Sequence, residues 1–336
     1  MTAIKKSMDQ LSDAQLVADI GGTHCSFGLV LPQMQGVQSI QKLKVADYPD
    51  VVLAVQSYLT TLAKQKIFPA IKIRRACFAV ATLVEGDQIV FTNSSWSFSI
   101  KQTQAALGFD HLQVLNDFAA LALSLPNLAA GDRCMASNHG ADAFKRDGTL
   151  AVVGPGTGLG VAGLVKVDQR WVALSSEGGH ASLSAANPFE SEIIQLVKSQ
   201  YGHVSAERLL SGMGMPLLYR TIAQLNGATA LELNPPEIIA HGLDKSDAIA
   251  DQTLDVFCAM LGSFCGNVVL TLGAGSGLFI GGGIVPRLGE RFFESSFLQR
   301  FVAKGRFEAF LKNVPVASIT HPYPALYGCA LAMEQA

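Results

Sequence analysis

Paired cysteines are missing from this chain of 336 residues. Its six cysteines, at 25, 77, 134, 258, 265 and 329, include no C-x-x-C and no cluster. That excludes a disulfide framework or a zinc ribbon and leaves reduced, mostly buried thiols as the expectation. Charge is sparse as well: Asp, Glu, Lys and Arg make up 15% of residues, the formal net charge is −2, and the 25 Lys and Arg form no dense run. No electrostatic footprint for nucleic acid or an anionic membrane surface is present. The opening segment MTAIKKSMDQLSDAQ lacks the apolar core that a signal peptide needs. A cytoplasmic location is the expectation.

One uncharged run, Val256 to Pro286, exceeds the roughly 20 residues that span a bilayer. It is dense in glycine, with G-x-G-x-G before Leu278 and GGG after Ile280. It therefore reads as buried helix, turn, short strand and second turn, not as a membrane span.

What is present is apolar material, 49% of the chain, enough for two packed cores. It comes in strand-length pieces bounded by turns: Leu16 to Ile20, Phe27 to Val30, Ile40 to Val45, Ala76 to Ala81 and Ile89 to Thr92. A helical pattern starts at Val51. The theme returns with Leu150 to Val153, Val161 to Val167 and Trp171 to Leu174, then a long helical stretch from about Phe189 to Gln224. Strands mixed with helices in this order imply an α/β fold. A weak internal repeat organises it. LVADI runs into Gly22-Thr23 and returns as GLV at 28 to 30; LAVVG runs into Gly156-Thr157 and returns as GLV at 163 to 165. Two equivalent hairpins imply two related domains facing each other.

Glycine turns let backbone N–H groups converge on an anion, and Thr adds a hydroxyl, so both could hold phosphate oxygens; an ordinary tight hairpin is the alternative. Asp19 ends the strand beside the first turn. A carboxylate there is repelled by phosphate unless a cation such as hydrated Mg²⁺ lies between. In LQVLNDFAA a strand ends at Asn116-Asp117 before a helix begins. Asp117 is placed there either as a base aimed into a cleft or as a helix cap. In SSEGGHAS, Glu177 and His180 flank two glycines, which suits a metal site, an acid/base pair or a clamp for a polar ligand. Glu207, four residues after His203 and on its face if one helix holds both, would complete a zinc set, which the lack of any H-E-x-x-H-like arrangement disfavours.

Taken together these segments resemble the ATP-dependent glucokinases of the bacterial type, members of the hexokinase, sugar kinase and actin superfamily. DIGGT at 19 to 23 resembles the first phosphate motif, GPGTGLG at 154 to 160 the second and LFIGGGIVPRL at 278 to 288 the adenosine motif. TNSSWSFS, NDF, EGGH, SAERLLSG and KGRF follow the family's order. The resemblance implies two ribonuclease H-like, actin-like ATPase domains around a central cleft: a small one from 1–127 with 318–336 and a large one from 128–317. It implies transfer of the ATP γ-phosphoryl group to the 6-hydroxyl of glucose, the first step of glycolysis, in a homodimer. Asn116, Asp117, Glu177, His180 and Glu207 would bind the sugar, with Asp117 as catalytic base. ATP would lie on Gly21, Gly22, Thr23, Gly156, Thr157, Gly158, Gly282 and Gly283, with Mg²⁺ held by Asp19 through water.

The sequence departs from the family at two places. After DIGGT the family has Asn, a small residue and Arg, where this chain has His24, Cys25 and Ser26; and VATLVEGD at 80 to 87 lacks the family's Pro. The first departure makes a sugar-binding sensor with little phosphotransfer the alternative. A repressor of the related sugar-kinase class is disfavoured, since its Cys-rich zinc motif is missing and only about 15 residues precede the first strand, too few for a helix-turn-helix.

Overall fold

The computed structural model describes residues 14–335 except 33, 65–72, 92–95, 137–138, 141–142 and 145–146. The Thr92–Ser95 part of TNSSWSFS, and the end of the strand expected at Ile89 to Thr92, lie outside the described residues. The chain divides into two compact units, one of residues 1–127 with 322–336 and one of 128–321.

The first unit is built on a five-stranded sheet of β1 (Gln15–Ile20), β2 (His24–Val30), β3 (Val37–Lys44), β4 (Arg75–Val80) and β7 (His111–Asn116), in the order β3-β2-β1-β4-β7. The first three strands form an antiparallel meander, while β1, β4 and β7 run parallel. Parallel strands need crossovers, and these are supplied by α1 (Val51–Lys64) and by α2 (Ile100–Leu107), which the Ser99 side chain caps by accepting from Gln102 N–H. Strands β5 (Gln88–Val90) and β6 (Ser97–Ser99) form a separate hairpin. Leu16, Ala18, Ile20, Phe27, Tyr58 and Phe78 fill the core with no exposure. On the other side of the sheet, α3 (Asp117–Ser124) packs against the C-terminal helix Pro324–Gln335, so closely that a Cβ on Gly328 would meet the Ala120 carbonyl oxygen.

The second unit repeats this strand order and adds an antiparallel edge strand, β8. Its sheet runs β11-β10-β9-β12-β13-β8, from β8 (Arg133–Met135), β9 (Leu150–Pro155), β10 (Leu159–Val167), β11 (Arg170–Ser176), β12 (Gly277–Ile280) and β13 (Val316–Ile319). Again three antiparallel strands lead into parallel partners. The internal repeat in the sequence is therefore a repeat of sheet order.

The helical stretch expected from Phe189 to Gln224 is three helices: α4 (Pro188–Tyr201), α5 (Ala206–Leu209) and α6 (Met215–Leu225). Gly202, at φ 72°, ends the first, and Gly214 stands where a Cβ would crowd the Arg208 carbonyl. Glycine stops what apolar periodicity would have continued. The uncharged run resolves into α8 (Ala248–Leu272), which follows α7 (Pro235–Leu243), then a turn, β12 and the GGG turn. Helix α8 is long and apolar enough to cross a membrane by length and composition, but 78% of its apolar window is buried inside the protein. All six cysteines are free, and only Cys134 is exposed.

Candidate active site

In the first unit the candidate residues gather at one end of the sheet. Register aligns Ile20, Val80 and Asn116 across β1, β4 and β7, so Asp19 and the Asn116-Asp117 pair share the carboxyl edge of three parallel strands, where ligands of open α/β sheets bind. The DIGGT turn is closed by Gly21 N–H donating to His24 O at 2.9 Å, and Thr23 O accepts from Val45 N–H at 3.0 Å. Gly21 thus spends its own N–H in shaping the turn.

Asp19 is half-buried, and burial pushes its carboxyl up to about 6, against the pull of the Lys42 ammonium. A desolvated carboxylate beside a glycine turn is a hard oxygen donor that a divalent cation would relieve. The residues fit a hydrated Mg²⁺.

Beside Asp117, its neighbour carries the helix cap. Asn116 is the N-cap of α3, its Oδ1 accepting from Phe118 N–H at 2.9 Å and Ala119 N–H at 3.2 Å, while its Nδ2 donates to Thr82 O at 3.3 Å. That last bond ties the cap to the VATLVEGD loop. Asp117 is the first helical residue, half-buried, with Oδ1 accepting from Phe118 N–H at 2.8 Å. Capping is thus carried by the amide side chain.

In the second unit the sugar-clamp candidates and the second glycine turn form one structure. Gly156 N–H donates to Gly158 O at 2.8 Å, closing the turn, and Gly212 N–H donates to Gly156 O at 2.7 Å. Glu207, on the short helix α5, accepts from Leu159 N–H at 2.8 Å through Oε2, while Oε1 faces His180 Nε2 at 3.6 Å. A Cβ on Gly158 would strike that carboxylate, and one on Gly179 would strike the Leu159 carbonyl. The glycines of EGGH and GPGTGLG are therefore required by close approach as well as by bending. Gly282, at φ 77°, presses on the Pro155 carbonyl, and Gly281 N–H donates to Val153 O at 2.9 Å. That brings Gly282 and Gly283 beside the second turn.

Glu177 precedes the 3₁₀ turn Gly178–His180 and is exposed, as is His180. His203 is not on a helix with Glu207: α5 begins at Ala206, capped by Ser205, and His203 Nε2 lies 3.0 Å from Ser182 Oγ. Among the described residues no group of three or more His, Cys, Asp and Glu could hold a metal ion. Gly212 was missed by sequence reasoning, although the S-G step after RLL signalled a turn. Lys42 was missed too; its only signal was the alternation Gln41-Lys42-Leu43-Lys44, which required the strand register to interpret.

Two sheets that share an antiparallel meander leading into parallel strands, each with a glycine turn at its carboxyl edge, match the actin-like ATPase fold of solved glucokinase structures. The chain belongs to the glucokinase family, whose model, described as Glucokinase, matches residues 16–336. It is 44% identical over 322 residues to a glucokinase of Aromatoleum aromaticum, covering 96% of this chain and 95% of that one. It is 42% identical to a bifunctional protein glk of Paraburkholderia xenovorans, covering 96% of this chain but 49% of that protein; the chain spans about half the length of the curated bifunctional relatives it matches. Among solved structures, a glucokinase from an Antarctic psychrotroph superimposes with a TM-score of 0.87 at 36% identity, covering 96% of this chain and 99% of that one.

Proposed function

We propose that this protein transfers the γ-phosphoryl group of ATP to the 6-hydroxyl of glucose. The observation that carries the reading is the division of labour at the β7–α3 junction. Asn116 carries the helix cap, and the Asp117 carboxylate, whose Oδ1 also accepts from Phe118 N–H, stands at the sheet's carboxyl edge, where a base that accepts a hydroxyl proton belongs. Family membership supports the same chemistry.

Each residue's part follows from its donors and acceptors. Asp117 accepts the proton of the 6-hydroxyl as that oxygen attacks phosphorus and ADP departs. Asn116, Glu177, His180 and Glu207 hold the other hydroxyls, the carboxylates accepting and the amide and imidazole donating or accepting. The turns at Gly21-Gly22-Thr23 and Gly156-Thr157-Gly158 bind phosphate oxygens, with Gly282 and Gly283 on the adenosine side. Asp19 would hold Mg²⁺ through water; that ion, when bound, offsets charge on the β- and γ-oxygens. Assignment to the first step of glycolysis, a homodimer and a cytoplasmic location rest on the family resemblance, to which the free thiols add support.

An ADP-release assay coupled to an optical readout tests the reading. Glucose-dependent ADP release supports it. Glucose binding without ADP release would make the protein a sensor instead.

A further inference from the structure

Position 26, where the resemblance implies an arginine, is a small serine, and the register of the sheet shows what faces it. Asp19 on β1 pairs with Ser26 on β2, and Ser26 pairs with Lys42 on β3. Directly opposed residues on neighbouring strands project from the same face of a sheet. Asp19, Ser26 and Lys42 therefore form one row, crossing about 9–10 Å in two strand spacings. The next row on that face is His24 opposite Lys44, while the alternate row, Ile20, Cys25 and Leu43, faces the apolar core.

We propose that Lys42 supplies from β3 the cation that position 26 lacks on β2, and that it binds the phosphates of the nucleotide held at the Gly21-Gly22-Thr23 turn.

Three observations support this. Ser26 is small and nearly buried, at 7% exposure, so no side chain on the middle strand stands between Lys42 and the strand that ends in the turn. The Thr23 carbonyl accepts from Val45 N–H at 3.0 Å, which fastens the turn to the end of β3 and keeps the lysine's strand in a fixed relation to it. Lys42 itself is exposed, so its ammonium is open to an incoming anion. An ammonium on a flexible stem binds phosphate as a point charge, without the fork that demands a fixed approach. A lysine one strand further away can therefore do the work of an arginine close by.

The inference rests on the glucokinase reading for the identity of the nucleotide, and its test separates the two. Wild type, Lys42→Met, Lys42→Arg and Lys44→Met are compared by titration with the nonhydrolysable analogue AMPPNP and Mg²⁺, and by the KM values for ATP and glucose. Lys42→Met is expected to weaken nucleotide binding about 10- to 100-fold, as loss of a charge-assisted contact does, with the glucose KM unchanged. Lys42→Arg is expected to recover most of the affinity, and the wild-type advantage over Lys42→Met to shrink in high salt. Three results would overturn the proposal: unchanged AMPPNP affinity in Lys42→Met, equal losses in Lys42→Met and Lys42→Arg, or a loss confined to Lys44→Met. Absence of glucose-dependent ADP release from wild type would refute the phosphotransfer reading, and the AMPPNP titration would still decide the role of Lys42.

Discussion

In the proposed reaction single side chains at strand ends carry the chemistry, and two of them give direct tests. Asn at position 117 would keep a carbonyl oxygen able to accept from Phe118 N–H, as Asp117 does, but could not accept a proton. Asp117→Asn is expected to lower kcat on the order of 10²- to 10⁴-fold, the usual contribution of a positioned base, with the glucose KM and melting temperature nearly unchanged. Steady-state kinetics and a thermal melt check it. Asp19 gives a pH signature. Burial raises its carboxyl from 3.8 to about 6, so the folded state favours the protonated form. Below the unfolded value both states are protonated and there is no penalty; between about 3.8 and about 6 the unfolded chain ionises while the folded state keeps its proton, so stability falls, and above about 6 the whole penalty is present. Asp19→Asn is therefore expected to raise the melting temperature of the nucleotide-free protein at pH 8 and to leave it unchanged near pH 3.5, while lowering turnover. Equal melting curves at pH 8 would contradict the desolvation of Asp19.

Among the elements, contact between α3 and the C-terminal helix connects Asp117, the proposed base, to residues 324–335. Gly328 lets that helix approach the Ala120 backbone, Cys329 Sγ lies 3.7 Å from Ala18 O, and Arg75 donates to Met333 O at 3.0 Å. Gly328→Ala places a methyl against a backbone oxygen that cannot rotate away. It is expected to cost about 1–3 kcal/mol, the range for overpacking, and to raise KM for glucose through displacement of α3. Denaturant unfolding together with kinetics reads both effects. Similar logic explains why the second glycine turn and EGGH cannot vary independently: Glu207 bonds the Leu159 amide and faces His180.

At the scale of the whole molecule, the larger unit contains a buried ion pair that joins distant helices. Arg300, on the helix Phe297–Val302, donates to both oxygens of Glu190 at 2.7 and 3.0 Å, and its Nε donates to Ser263 on α8. The Glu190 side chain is only 2% exposed. Removing one partner strands a buried charge, so Arg300→Met is expected to destabilise by about 3–5 kcal/mol, whereas Glu190→Gln with Arg300→Met should cost less than the sum of the singles. A double-mutant cycle in urea measures this.

Glycine and apolar patterning made much of the architecture legible from the sequence. The strand-turn-strand repeats, the strand ending at Asn116, and the helix, turn and strand within the uncharged run were all readable, because period, turn residues and length are local properties. The site residues were readable as types, since DIGGT, NDF, EGGH and GPGTGLG place carboxylates, amides and glycines in an order that few chemistries need. Helix limits after Phe189 were not readable, because Gly202 and Gly214 act through φ and close approach. Nor was the role of Asn116 as cap, which depends on where its amide points. Tertiary structure alone brought Glu207 onto the Leu159 amide and set Lys42 in line with Asp19. Those relations cross strands and turns far apart in the chain, and register, which no local pattern encodes, determines which side chains share a face.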